Sequence, residues 1–327
     1  MTLIIEKIQS SIEAMYQTKI ELIPLQEEAS TRRYYSFVVN GDRQVLCTDQ
    51  SLNHDFIQLS EFLSLNNVRV PRVLYSNGDL NFIIQSWEGE RDLGTFTLQD
   101  YIKTLPHVID LILKLQKLDP PSFVKTRRFD LDKLGFEIQL TEDKFNVFRQ
   151  IYGIQTEFNT ECKAFLQSTI AYLDQHPVNV FTHRDFHSRN ILINDKQEMV
   201  LIDFQDARMG VPQYDLASIL YDAYYPLSVE IRKELLTYFQ KKTIGGSNRF
   251  KETFYLQALQ RSFKALGTYF RMVVDEKKYK FKPSILSCLE QLEEIIQIGL
   301  FSDALYIFVR GLRNEITKND KFQKNIE

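Results

Sequence analysis

Within residues 181–210, FTHRDFHSRNILINDKQEMVLIDFQDARMG, the aspartates Asp185 and Asp203 and the asparagine Asn190 stand at turns between short strand-like runs. These residue types can hold a hydroxyl, a magnesium ion and a triphosphate together for phosphoryl transfer. In that chemistry Asp185 orients the attacking hydroxyl and takes its proton. Asn190 and Asp203 offer the hard oxygen ligands that Mg2+ prefers. Taken singly, each residue has a blander reading, because an aspartate at a strand end is more often a turn residue or a helix cap. His183 and His187 lack a third partner for zinc, and His183 reads as a packing residue bonded to loop backbone. His187 either faces the substrate or caps the loop.

The elements that must position these groups can be read from periodicity. Apolar residues at 180–182, 191–193 and 199–202 predict three short strands, with a turn at Asn194-Asp195 that brings Asn190 near Asp203. Upstream, helical spacing predicts a helix over 5–16, and Asn40-Gly41 predicts a hairpin between strands 34–39 and 44–47. A helix over 56–65 and strands at 73–75 and 82–86 follow. Beyond residue 98 the period becomes helical. A buried helix runs through 108–115 and stops at Pro120-Pro121, and residues 122–143 read as partly irregular. Helices are expected over 145–152, 158–173, 216–224, 229–239, 250–274, 284–298 and 302–312, with Gly245-Gly246 interrupting two of them. The charged tail from Thr317 is expected to fray. The result is an α+β class with a small mixed N-terminal lobe, residues 1–86, and a larger helical lobe, residues 87–327. A cleft between such lobes is a usual place for a cofactor.

Composition narrows the function classes. A formal net charge of -3 over 327 residues excludes a polybasic nucleic-acid binder. Cys47, Cys162 and Cys288 are widely spaced and odd in number, so neither a disulfide framework nor a metal spacing is expected. The first residues, MTLIIEKIQS, do not read as a signal peptide, and no apolar run is long enough to span a bilayer. The expectation is a cytoplasmic protein with no evident obligate protein partner.

HRDFHSRN at 183–190 and IDFQDA at 202–207 resemble the catalytic loop and metal-binding segment of the kinase-like phosphotransferases, the aminoglycoside and choline kinase superfamily. More closely, RDFHSRN, IDFQDARMGVPQYDLASILYDAYYPL and LQRSFKALGTYFR at 259–271 resemble the bacterial sugar kinases that phosphorylate N-acetylmuramate and N-acetylglucosamine at the anomeric hydroxyl. EASTRRYYSF at 28–37 and VPRVLYS at 70–76 fit the same group. The resemblance implies a bilobal protein-kinase-like fold, ATP, Mg2+ and a small-molecule acceptor, a sugar salvaged from the cell wall. It implies Asp185 as base, Asn190 and Asp203 as metal ligands, and Tyr214-Asp215 as a brace for the loop. Asp215 can also cap the helix that follows it. Asp222 is expected near the substrate. Arg261 and Arg208 are candidates for a substrate carboxylate.

The nucleotide half departs from the kinase pattern. Ala29-Ser30-Thr31 replaces a glycine-rich loop, so phosphate contact falls to Ser30, Thr31 and Arg32. The strand RQVLCTDQ carries no lysine, which leaves Glu61 without an obvious partner. The backbone of Gln85 to Trp87 stands where adenine is expected, and Trp87 either stacks on the base or packs. Competing accounts are a kinase for another alcohol, such as choline or an aminoglycoside, and a nucleotide-binding pseudokinase. A choline site needs an aromatic cage, for which Tyr221, Tyr224, Tyr225 and Asp222 are available.

Overall fold

A computed structural model describes residues 2–25, 32–243 and 249–324. Gly245-Gly246 therefore lies outside the described residues. Contacts divide the chain into two compact units, Met1–Thr95 with Arg189–Asp206, and Phe96–Ser188 with Ala207–Glu327.

The first unit opens with helix α1 (Thr2–Tyr16). An antiparallel sheet follows, built from β1 (Ile23–Pro24), β2 (Arg33–Val39), β3 (Asp42–Thr48), β4 (Val73–Asn77) and β5 (Phe82–Ser86) in the order β1-β2-β3-β5-β4. Asn40 and Gly41 both take positive φ, 52° and 87°, which is the two-residue turn that matches strand twist. Alternation along β2 turns Phe37 and Val39 inward and leaves Val38 exposed. The inward set packs with Ile8 and Ile12 of α1 and with Leu46, Phe82 and Ile84 of the sheet. Helix α2 (His54–Leu65) is capped by Asn53, whose side chain accepts the Phe56 N–H.

The expected border at residue 86 differs from the contact division in two ways. The unit runs on to Thr95, and 189–206 returns to it. The return has a backbone cause. Strand β6 (Arg91–Asp92) pairs with β8 (Ile191–Ile193), which pairs with β9 (Met199–Leu201). The Leu201 N–H also donates to the Arg69 carbonyl, and Arg69 pairs with Glu198 at 2.8 Å.

The second unit is mainly helical. It contains α3 (Leu98–Leu115), α4 (Ser122–Lys125), α5 (Leu131–Tyr152) and α6 (Thr160–Asp174), then α7 (Tyr214–Leu220), α8 (Val229–Lys242) and α9 (Phe250–Val274). Helices α10 (Lys282–Gly299), α11 (Asp303–Thr317) and α12 (Asp320–Gln323) complete it. One two-stranded ladder joins β7 (Val180–Thr182) to β10 (Arg208–Gly210). Among the described residues no helix is long and apolar enough to cross a membrane.

Three expectations fail here. Within 122–143 only 126–130 is irregular, and the helix expected from 145 begins at Leu131, because α5 starts at an Asp130 cap and buries Leu134, Ile138, Phe145 and Phe148 in one stripe. Buried Glu137 and Thr141 interrupt that stripe and hide its period. The helix expected to reach residue 224 ends at Leu220, where Asp222 accepts the Tyr224 N–H and turns the chain away. The tail does not fray at Thr317. Phe322 is fully buried against Phe148 and Tyr152, with ring centroids 5.8 and 5.4 Å away.

Helix α9 is buried along most of its length and packs against α5, α7 and α10. Its approach to α5 depends on Gly267. A Cβ there would lie 2.2 Å from Thr141 Oγ1 and 2.7 Å from Thr141 Cα. In an exposed helix, glycine to alanine stabilises by about 1 kcal/mol. Here Gly267→Ala is expected to destabilise by about 1–3 kcal/mol through overpacking, lowering the urea unfolding midpoint. An unchanged or raised midpoint contradicts the tight contact.

Candidate active site

The loop that carries Asp185 leaves β7 at Thr182, whose Oγ1 donates to the Arg208 carbonyl across the ladder at 2.9 Å. It then meets Asp215. One oxygen of that buried carboxylate accepts the His183 N–H at 2.7 Å, and the other accepts the Arg184 N–H at 3.1 Å. Arg184 sits at φ 81°, a region a non-glycine residue occupies only under restraint. Of the two roles open to Asp215, bracing the loop and capping α7, its carboxylate makes the loop bonds, and the N-cap position of α7 is Gln213. Its neighbour Tyr214 is fixed by a stack on Phe129 with centroids 4.2 Å apart. His183 and Phe186 are buried and meet edge to face. Asp222 accepts the Ser188 N–H at 2.8 Å, so both of its oxygens serve backbone donors. The His187 ring packs against Tyr224 with centroids 5.7 Å apart.

Asp185 is partly exposed, at 23 %, and stands among cations. Lys264 Nζ lies 3.0 Å from Oδ1 and Arg184 Nη1 lies 3.6 Å from Oδ2. Arg261 adds charge nearby while its Nε donates to Ser218 Oγ at 2.6 Å. Burial alone pushes the Asp185 carboxyl up, but Lys264, Arg184 and Arg261 outweigh it and hold it well below the usual carboxylate range. The group is thus a firmly ionised acceptor. Asp215 behaves oppositely. Burial pushes its carboxyl up to about 7, against the pull of the two backbone N–H groups.

Asn190 and Asp203 belong to the first unit. Asn190 closes a 3-10 turn, Ser188–Asn190, and its carbonyl accepts the Ile202 N–H at 3.1 Å, which ties the start of β8 to the residue before Asp203. Asp203 takes φ 61°, and Phe204 beside it is fully buried and stacked on Phe56 at 4.9 Å. Asp203 Oδ1 accepts from Gln205 Nε2 at 2.7 Å and faces Arg32 Nη1 at 3.3 Å. Arg32 also reaches Asp49 at 3.6 Å. A lysine is missing from β3, yet Arg32 brings a cation to Asp203. Among the described residues no cluster of three or more His, Cys, Asp or Glu could hold a metal. An amide oxygen and a carboxylate fit a magnesium ion that keeps water and phosphate as its other ligands.

Of the expected nucleotide contacts, Ser30 and Thr31 lie outside the described residues. Gln85 is buried on β5, and among the described residues its Oε1 has no hydrogen-bond partner. The Arg43 guanidinium covers the Trp87 ring at 3.7 Å. Glu61 is exposed on α2. Arg208 is half-buried on β10, and Arg261 is only 7 % exposed. Sequence reasoning missed Lys264. Its signal was available, because it lies one helical turn after Arg261 in the stretch 259–271.

Residues 21–250 match the phosphotransferase enzyme family. The chain is 26% identical over 308 residues to the N-acetylmuramate/N-acetylglucosamine kinase of Neisseria meningitidis serogroup B, covering 88% of this chain and 90% of that one. The fold is similar to choline kinase LicA from Streptococcus pneumoniae, with a TM-score of 0.61 at 10% identity over 88% of this chain and 98% of that one. It is also similar to a thermostable mutant of aminoglycoside phosphotransferase APH(4)-Ia in ternary complex with ADP and hygromycin B, with a TM-score of 0.58 at 15% identity over 90% and 99%. At such identities the structural likeness is one of fold.

Asp215 makes stability depend on pH in a defined sense. Its proton is held more tightly folded than unfolded, so its contribution is full below the unfolded value near 4 and is lost as pH rises through about 7. Relative to Asp215→Asn, the native protein is expected to lose about 3 kcal/mol between roughly pH 4.5 and 7.5, read from paired urea titrations. A pH-independent difference rules out the raised carboxyl.

Proposed function

The chain belongs to the phosphotransferase enzyme family, and from that premise we propose that it transfers the γ-phosphoryl group of ATP to the anomeric hydroxyl of an N-acetylated amino sugar. The acceptor is N-acetylmuramate or N-acetylglucosamine, drawn from recycled cell-wall material in the cytoplasm. The 26 % identical relative named for a kinase of these two sugars supports that acceptor. The observation that carries the chemistry is the ionised, partly exposed Asp185 held by a loop whose backbone is pinned by Asp215 and Asp222.

In this reading Asp185 accepts the acceptor hydroxyl's hydrogen bond and aims its oxygen at the γ-phosphorus. The new oxygen–phosphorus bond forms as the bond to the β,γ-bridging oxygen breaks. ADP leaves and the hydroxyl proton passes to Asp185. A carboxylate held well below its usual range is a weak base, so its main contribution is orientation, with proton transfer late along a loose reaction path. Asn190 and Asp203 would hold Mg2+, which would neutralise charge on the phosphate oxygens. Arg32 supplies the phosphate-facing cation that β3 lacks, with Ser30 and Thr31 beside it in sequence. The backbone of Gln85 to Trp87 faces adenine. Asp215 and Asp222 support the loop, and His187 and Arg208 line the acceptor's surroundings. Met1–Thr95 with Arg189–Asp206 serves as the nucleotide unit.

The test is incubation with ATP, Mg2+ and each amino sugar, with product mass and loss of the sugar's reducing end as readouts. A sugar 1-phosphate is expected. If no amino sugar gains phosphate while ATP is bound, the acceptor assignment fails. Asp185→Asn is expected to lower kcat by about 100- to 10,000-fold with little change in ATP affinity. Near-native turnover in that variant removes Asp185 from the role of base.

A further inference from the structure

We infer that Lys264 selects for an anionic acceptor, exchanging its ion pair with Asp185 for one with the carboxylate of an acid-bearing amino sugar. The inference rests on the amino-sugar reading above and deepens it.

The cations around Asp185 differ in what they are able to do. Arg261 is 7 % exposed and its Nε is fixed on Ser218 Oγ at 2.6 Å. Its packing and its bond to α7 make it part of the frame. Arg184 rides on the loop itself, and its Nη1 stays 3.6 Å from Oδ2, beyond hydrogen-bond distance. Lys264 projects from the rigid middle of α9 with its side chain 17 % exposed, and among the described residues its ammonium is paired with Asp185 alone. An ammonium has three donors on a flexible four-carbon stem, so it can follow a new anion without disturbing the helix.

Competition for Asp185 decides the selectivity. A substrate hydroxyl needs an oxygen of that carboxylate, and Oδ1 is the one Lys264 occupies at 3.0 Å. A neutral sugar that loosens this pair gives Lys264 nothing in return. N-acetylmuramate carries a carboxylate on the ring substituent two positions from the anomeric carbon. That group offers Lys264 a replacement partner while the hydroxyl takes its place on Asp185. Arg208 and Arg261 were the sequence candidates for the carboxylate. The burial and fixed bond of Arg261 withdraw it from that role, and Lys264 takes its place from the same face of α9.

The experiment compares wild type, K264M and K264R with N-acetylmuramate and N-acetylglucosamine at saturating ATP. Both sugars use the same Asp185, so the ratio of their kcat/KM values cancels any general effect on the base. K264M is expected to lower the preference for N-acetylmuramate by about 10- to 100-fold, mainly through its KM, the loss of one hydrogen bond to a charged group. K264R keeps the charge and is expected to retain most of the preference. A K264M ratio within about twofold of wild type overturns the inference, because the lysine then serves the base and not the acceptor. Wild-type turnover of N-acetylglucosamine alone overturns it too, leaving the amino-sugar reading intact. Turnover of neither sugar overturns both.

Discussion

One buried carboxylate fixes the geometry on which the candidate chemistry depends. Asp215 accepts the N–H groups of His183 and Arg184 together, and by doing so holds Arg184 at φ 81°. Without those two bonds the turn would carry both backbone strain and two unsatisfied donors, each costing about 1–3 kcal/mol where buried. The constraint propagates in both directions. Toward the loop, it sets the direction in which Asp185 leaves the backbone. Toward the scaffold, it makes the placement of α7 a matter of consequence, and the stack of Tyr214 on Phe129 with the β7–β10 ladder keeps that placement.

A second layer is electrostatic. Asp185 remains ionised although partly withdrawn from water, because α9 delivers Arg261 and Lys264 to it and the loop adds Arg184. Those charges are only as well placed as the helix that bears them. The Gly267–Thr141 contact sets how closely α9 lies on α5, one turn beyond Lys264. Thr141 reinforces it by donating to the Phe263 carbonyl at 3.2 Å, and Gln260 donates to buried Glu137 at 3.0 Å. Packing between helices far from the loop in sequence thus determines the ionisation of a residue on it. In the first unit the corresponding device is simpler. The β8–β9 hairpin and the Phe56–Phe204 stack hold Asp203, and Arg32 meets it there.

Much of this was legible from residue patterns. Asn40-Gly41 announced its hairpin, and the strands around 180–202 and the long helix 250–274 followed from local periodicity. The failures share a cause. Helix α5 begins at Leu131 and not at 145, and its first half hides its period because Glu137 and Thr141 occupy core positions and make polar bonds there with α9, a partner more than a hundred residues away. The helix after Tyr214 was drawn too long because Asp222 stops it by serving Ser188, 34 residues back. The tail was expected to fray because one aromatic, Phe322, carries no periodic signal, yet a single ring inserted beside Phe148 and Tyr152 is enough to anchor a short helix.

Residue types and local turns settle the chemical inventory: an ionisable Asp185, side-chain oxygens on Asn190 and Asp203 that suit a hard cation, and the phosphotransferase pattern that spaces them. Those choices are local, set by residue type and by turns a few residues long. Tertiary structure alone decided which charges surround Asp185, since Lys264 and Arg261 reach it across some eighty residues of chain. It also decided which backbone groups Asp215 holds, the N–H groups of His183 and Arg184, and that Arg32 meets Asp203 where no lysine was provided. Coulomb and hydrogen-bond energies depend on distances of a few ångströms. Such distances are created only when distant segments pack.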